Sequence, residues 1–159
     1  MIVLGVDPGP TSCGIALYCS DRGKVLSARK DITVESLLLV LSDPVVCDVV
    51  ALERVQSYGI AGATLLQTSE VVGRIWQAAK LGGYPVELYY RREVLRALDV
   101  TGKGNRDSLV RQRLIEMHGG DRVSAVGTKK QPGPLYGVAS HAWQALAVAL
   151  AHTMKEEKP

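Results

Sequence analysis

No apolar run in the 159 residues reaches the roughly 18 needed to cross a bilayer. No basic-then-apolar leader opens the chain, so neither a membrane span nor a signal peptide is expected, and a cytoplasmic location is. Cysteine is scarce and odd in number: Cys13, Cys19 and Cys47 lie in or beside apolar segments with no Cys-x-x-Cys spacing. That pattern excludes a disulfide framework and a thiolate zinc site, and it reads as reduced core thiols. A Walker A loop is missing too: the basic loop at 100–106, Val-Thr-Gly-Lys-Gly-Asn-Arg, is too short and too poor in glycine for one.

What is present fits one globular domain, residues 1–159, with a frayed end from about 155. The hydrophobic fraction of 47% supports a buried core, and the net charge of +3 conceals an asymmetry. Residues 74–130 carry 12 of the 19 Lys and Arg but only 6 of the 16 acids. A basic stretch beside an acid-bearing remainder suits a protein that holds phosphates with one surface and metal with another, although ordinary domains also show it.

Organisation starts at residues 2–18, where Ile-Val-Leu-Gly-Val-Asp7 reads as a strand, Pro8-Gly9-Pro10 as a turn, and Gly14-Ile-Ala-Leu-Tyr18 as a second strand of a hairpin. Residues 24–32 add a third strand. Thr33 caps a short helix over 34–42 with Glu35 in its first turn. The β-branched run at 45–55 is a buried strand, and because a helix precedes it, it runs parallel to its neighbour. Ala63–Leu81 is a long helix with apolar residues on more than one face, enough to cover the sheet and meet a second subunit. Residues 84–90 form a fifth, edge strand with Pro85 near its start. Short helices follow over 91–98 and 109–118, the latter capped by Asp107 or Ser108 and carrying Arg111 and Arg113 outward. Residues 119–134 read as a mobile basic loop, and a last helix over 139–155 is capped by Ser140.

Two acids interrupt apolar strands, Asp7 in the first and Glu53 in the fourth. A carboxylate at the end of a buried strand costs free energy unless something compensates it, and a divalent ion is one candidate. The alternatives are a turn-capping Asp7 and an ion pair for Glu53. If the two strands are neighbours, the acids project at one sheet edge, where one ion or two could bind. His141 and Gln144, three apart, share a face at the start of the last helix. Lys103 and Arg106, with the helix N-terminus behind them, resemble an anion site for a DNA phosphate; Tyr58 suits stacking on an unpaired base.

Gly-Val-Asp7-Pro-Gly-Pro, Ala-Leu-Glu53-Arg and His141-Ala-Trp-Gln144-Ala-Leu-Ala-Val-Ala together resemble the RuvC-type Holliday junction resolvases of the RNase H-like superfamily. Glu-Arg-Val-Gln-Ser-Tyr-Gly, Tyr-Arg-Arg-Glu-Val and Gly-Thr-Lys-Lys-Gln-Pro-Gly-Pro-Leu-Tyr-Gly are similar to the small phage-encoded branch. The resemblance spans nearly the whole chain. It implies an α/β fold with a five-stranded mixed sheet, three antiparallel strands then parallel ones, flanked by helices on both faces. It also implies a homodimeric endonuclease, paired through Ala63–Leu81, that makes symmetric nicks in a four-way DNA junction and leaves 5′ phosphate and 3′ hydroxyl ends.

By that resemblance Asp7, Glu53 and His141 are the catalytic and metal-binding residues for Mg²⁺ or Mn²⁺. A neutral imidazole favours the softer Mn²⁺. Gln144 stands where bacterial members carry Asp; its amide oxygen can coordinate or hold a water, but it supplies neither base nor charge. Lys103, Arg106, Arg111, Lys129 and Lys130 would hold the phosphate backbone, and Tyr58 would wedge into the junction. Three other readings stand beside it: an RNase H-like nuclease for another nucleic acid, a junction-binding protein without catalysis, and an actin-like or sugar-kinase ATPase. The last needs two lobes, and this chain has room for one.

Overall fold

The computed structural model describes residues 1–43, 47–57 and 59–156. Its sheet has the order β3-β2-β1-β4-β5. Strands β1 (Ile2–Pro8), β2 (Ser12–Cys19) and β3 (Lys24–Thr33) form an antiparallel meander, and β4 (Val49–Arg54) and β5 (Val86–Tyr90) add in parallel. This is the expected mixed sheet, with β5 at the edge. The expected fourth strand is shorter than 45–55: Val45 and Val46 lie outside the described residues, and pairing starts at Val49.

Period-2 alternation sends each strand's side chains to two separate cores. On one face Val3, Ala16, Val49 and Ala51 pack under α3 (Arg91–Ala97), α4 (Arg106–Met117) and α6 (Ala142–Glu156). On the other, Leu4, Val6, Val50 and Leu52 pack under α1 (Val34–Val40) and α2 (Ala63–Leu81). Thr33 caps α1 as expected, its Oγ1 accepting from the Ser36 N–H. Cys13 and Cys19 are buried, Cys47 is half-buried, and all three thiols are free.

The seam between β1 and α6 is lined by small residues. A Cβ on Gly5 would run into the Ala145 carbonyl and approach the Ala149 Cβ at 3.0 Å, so the helix rests on the strand backbone itself. Gly14 does the same one strand over, where an added Cβ would meet the His141 Cβ at 2.8 Å. These contacts fix the start of α6 against the β1–β2 hairpin.

Three local expectations need correction. Ser140 is not a helix cap: its φ is +46°, and α6 starts at Ala142, with the His141 carbonyl accepting from the Gln144 and Ala145 N–H groups. The α4 cap is Asn105, not Asp107 or Ser108, because its Oδ1 accepts from the N–H of both. Residues 119–134 are not a free loop. Asp121 caps α5 (Arg122–Ala125), and a turn closes where Thr128 N–H donates to Gln131 O and Gly133 N–H to Val126 O.

Candidate active site

Asp7 and Glu53 end neighbouring parallel strands on the α6 face. Gly5 pairs with Ala51 in register, and each acid lies two residues further on, so both carboxylates emerge side by side at the C-terminal edge of the pair. Both are largely buried, with side chains 20% and 14% exposed, and they line one cavity of about 200 Å³ together with Gln56, Leu65 and Arg91. Burial pushes the Asp7 carboxyl up from its ordinary range, against the pull of His141 and Arg91. Burial raises Glu53 to about 7, Arg91 opposing the rise and Asp7 adding to it. Each acid is therefore short of compensating positive charge.

The start of α6 supplies the neighbours. His141 Nδ1 lies 3.3 Å from Asp7 Oδ2, with the imidazole 71% exposed. Gln144 is buried and meets the acids only through Arg91, whose Nη1 lies 2.5 Å from Gln144 Oε1 and 3.5 Å from Glu53 Oε2. Arg91 Nη2 reaches Asp107 Oδ1 at 2.5 Å. The ion-pair alternative for Glu53 thus holds, with Arg91 as the partner. The turn-capping alternative for Asp7 has no hydrogen bond to rest on among the described residues.

No protein-family model matches the chain. Full-length relatives do. The crossover junction endodeoxyribonuclease RuvC of Mycobacterium marinum is 31% identical over 99% of this chain and 94% of its own length. That of Mycobacterium tuberculosis is 32% identical over 96% and 81%. The chain belongs to the RuvC family. Among solved structures, T. thermophilus RuvC in complex with Holliday junction substrate shares the fold, with a TM-score of 0.66 at 22% identity over 98% of this chain and 94% of that one.

Within this RuvC-family fold, the donor set can be weighed against a divalent cation. Two desolvated carboxylates and an imidazole suit Mg²⁺ or Mn²⁺, ions that take one or two protein carboxylates and leave other positions to water and phosphate oxygens. Among the described residues no three His, Cys, Asp or Glu side chains stand close enough together to hold a metal ion as they lie; the two acids share a cavity, and His141 adjoins Asp7. Asp7, Glu53 and His141 are the side chains that would hold the ion. Gln144 oxygen is instead engaged by Arg91.

The sequence-read DNA residues fall in three places. Lys103 and Arg106 are exposed in the loop before α4 and at its first residue, while Lys129 and Lys130 are exposed at the tip of the 127–132 turn. Arg111 is not simply outward. It lies over the Trp143 ring at 5.3 Å and lines a cavity of about 270 Å³ with Asn105, Asp107, His141 and Gln144, which puts it beside the site. Arg113, also read as outward, is half-buried and donates from Nε to Leu98 O. Tyr58 lies outside the described residues. Arg91 and Asp107 were missed as site residues: Arg91-Arg92 reads as a solvated helix start, and only the pairing of β4 with β5, which sets Glu53 opposite Tyr89, shows Arg91 two residues past that point.

Asn105 holds Asp107 in place through the α4 cap. Asn105→Ala is expected to cost about 1 kcal/mol and lower the melting temperature by about 2–4 °C, as thermal melts would read.

Proposed function

We propose that this chain is a structure-selective endonuclease that resolves four-way DNA junctions by paired symmetric nicks. The observation that carries the reading is the meeting of Asp7 and Glu53 at one sheet edge under the His141–Gln144 end of α6. Membership of the RuvC family supports it. On this reading residues 1–159 act as one nuclease domain of the small phage-encoded branch, working in the host cytoplasm, and the likeness of the motifs around Glu53 and Lys129 to that branch supports it.

Asp7, Glu53 and His141 hold Mg²⁺ or Mn²⁺, which supplies Lewis acidity toward water and the phosphate oxygens. Asp7 fixes the imidazole of His141, and the small-residue seam fixes both against the strand edge. Water attacks phosphorus in line with the 3′ oxygen, leaving a 5′ phosphate and a 3′ hydroxyl. Lys103, Arg106, Arg111, Lys129 and Lys130 hold the backbone on either side.

A homodimer through α2 accounts for paired nicks, since a two-fold axis repeats the site on the opposed strand. Supporting it, α2 buries Thr68, Val71, Ile75 and Ala79 against the sheet and leaves Leu66 (55% exposed), Trp76 (38%) and Leu81 (79%) on its surface.

The test incubates the protein with a synthetic four-way junction, a matched duplex and an RNA/DNA hybrid, each with Mg²⁺ and with Mn²⁺. Symmetric cutting of the junction alone, by a species of twice the 17.1 kDa chain mass, is expected. Equal cutting of duplex or hybrid overturns the substrate assignment. Tight junction binding with no cutting under either ion makes it a binding protein.

A further inference from the structure

Arg91 is held by three elements at once. Glu53 of β4, Gln144 of α6 and Asp107 of α4 all bond its guanidinium, whose planar fork of donors suits fixed partners. Its side chain is 30% exposed and lines the same cavity as both acids. Arg92, one residue on, lies instead over the Tyr90 ring and makes none of these contacts.

Charge balance gives the arrangement a meaning. Beside Arg91, the three acids Asp7, Glu53 and Asp107 retain two negative charges, which a single divalent cation neutralises. A second divalent ion at Glu53 would sit next to a permanent cation. Gln144 is matched to this: its amide oxygen accepts an Arg91 N–H and adds no charge of its own.

We propose that Arg91 is the fixed positive charge of the site, standing beside Glu53 in place of a second divalent ion, with Gln144 and Asp107 positioning it. This rests on the nuclease reading above. In the hydrolysis the water oxygen bonds to phosphorus and gives up one proton to solvent, the bond from phosphorus to the 3′ oxygen breaks with its electron pair staying on that oxygen, and that oxygen takes up a proton from solvent. The Arg91 N–H donors share the negative charge as it develops.

The test titrates the full chain with Mn²⁺ in the absence of DNA, reading the free-ion electron paramagnetic resonance signal, for wild type, Arg91→Gln, Arg91→Lys and Gln144→Asp. Wild type is expected to bind one ion per chain. Arg91→Gln binds it roughly tenfold tighter, because the repelling neighbour is gone, and Arg91→Lys stays close to wild type. A purely structural Arg91 would give the opposite sign, since losing it would loosen the site and weaken binding. With Mn²⁺ saturating, single-turnover junction cutting by Arg91→Gln falls on the order of 10²–10³-fold. Gln144→Asp, with Arg91 in place, still binds one ion. Two ions on wild type or on Gln144→Asp, or unchanged or weaker binding by Arg91→Gln, overturns the role of Arg91 and leaves the nuclease standing. No bound Mn²⁺ on wild type overturns both.

Discussion

Glu53→Gln is expected to bind four-way junctions, cut none of them, and melt roughly 5 °C above wild type in chelator at pH 8. The first two outcomes follow from removing one of the two proposed carboxylate ligands while leaving the basic surfaces untouched. The third follows from burial. Glu53 is raised from 4.5 to about 7, so the metal-free fold carries a poorly compensated charge above that pH. On linkage this is on the order of 2–3 kcal/mol, and each kcal/mol moves the midpoint of a chain this size by about 2–4 °C.

The sign runs one way. Because the folded value lies above the unfolded one, the contribution is fully favourable below pH 4.5 and is lost as pH rises through 7. Asp7, raised by burial as well, acts in the same direction. Two groups oppose it: burial lowers His118, bonded to Tyr18, and His152, bonded to Tyr89, so their contributions are present above 6.5 and fall away in acid. Comparing wild type with Glu53→Gln cancels the histidines. Melting midpoints of the two proteins should therefore converge toward pH 5, separate between pH 5 and 7 and keep that gap to pH 8, and a gap that does not change with pH would show that Glu53 is not strained by its burial.

Gly5→Ala is expected to be the most damaging single-methyl change in the protein. The added carbon has no room between the β1 backbone and the Ala145 carbonyl, and the neighbour that would have to yield is helix backbone, not a flexible side-chain end. Overpacking of this kind costs about 1–3 kcal/mol and at a backbone contact more, so a midpoint drop of roughly 10 °C or failure to fold is expected. Since α6 carries Gln144 and follows directly on His141, any protein that does fold loses junction cutting by more than its stability loss accounts for. A variant with wild-type melting and wild-type cutting would show that the helix does not depend on this seam.

The fold was largely legible because its signals are local. Asp7 and Glu53 stand out as charges that break apolar strands, and Thr33 starts its helix in the ordinary way. Their convergence was legible only through the rule that a strand reached by way of a helix pairs in parallel. The rest depended on long-range geometry. Arg91 lies among polar neighbours in sequence and gains its meaning from β5 register and α4 position. Asn105 competed with two equally good capping residues beside it. Ser140 has the right chemistry for a cap but sits at positive φ, in a connection set by how close Gly14 lets the chain approach. The 119–134 segment is polar, yet its backbone satisfies itself through a turn and a one-turn helix that composition does not announce.

The sheet divides the interior into two unconnected apolar clusters, and this has a consequence for how such a protein diversifies. The buried stripe of α2 belongs to one compartment and α3, α4 and α6 to the other; α2 reaches the cavity of the acids and Arg91 only at its start, through Leu65. On the proposed pairing through α2, its outer residues Trp76 and Leu81 can drift without retuning the chemistry, and a change at the acids leaves that surface as it was. Five strands of backbone hydrogen bonds insulate one inheritance from the other.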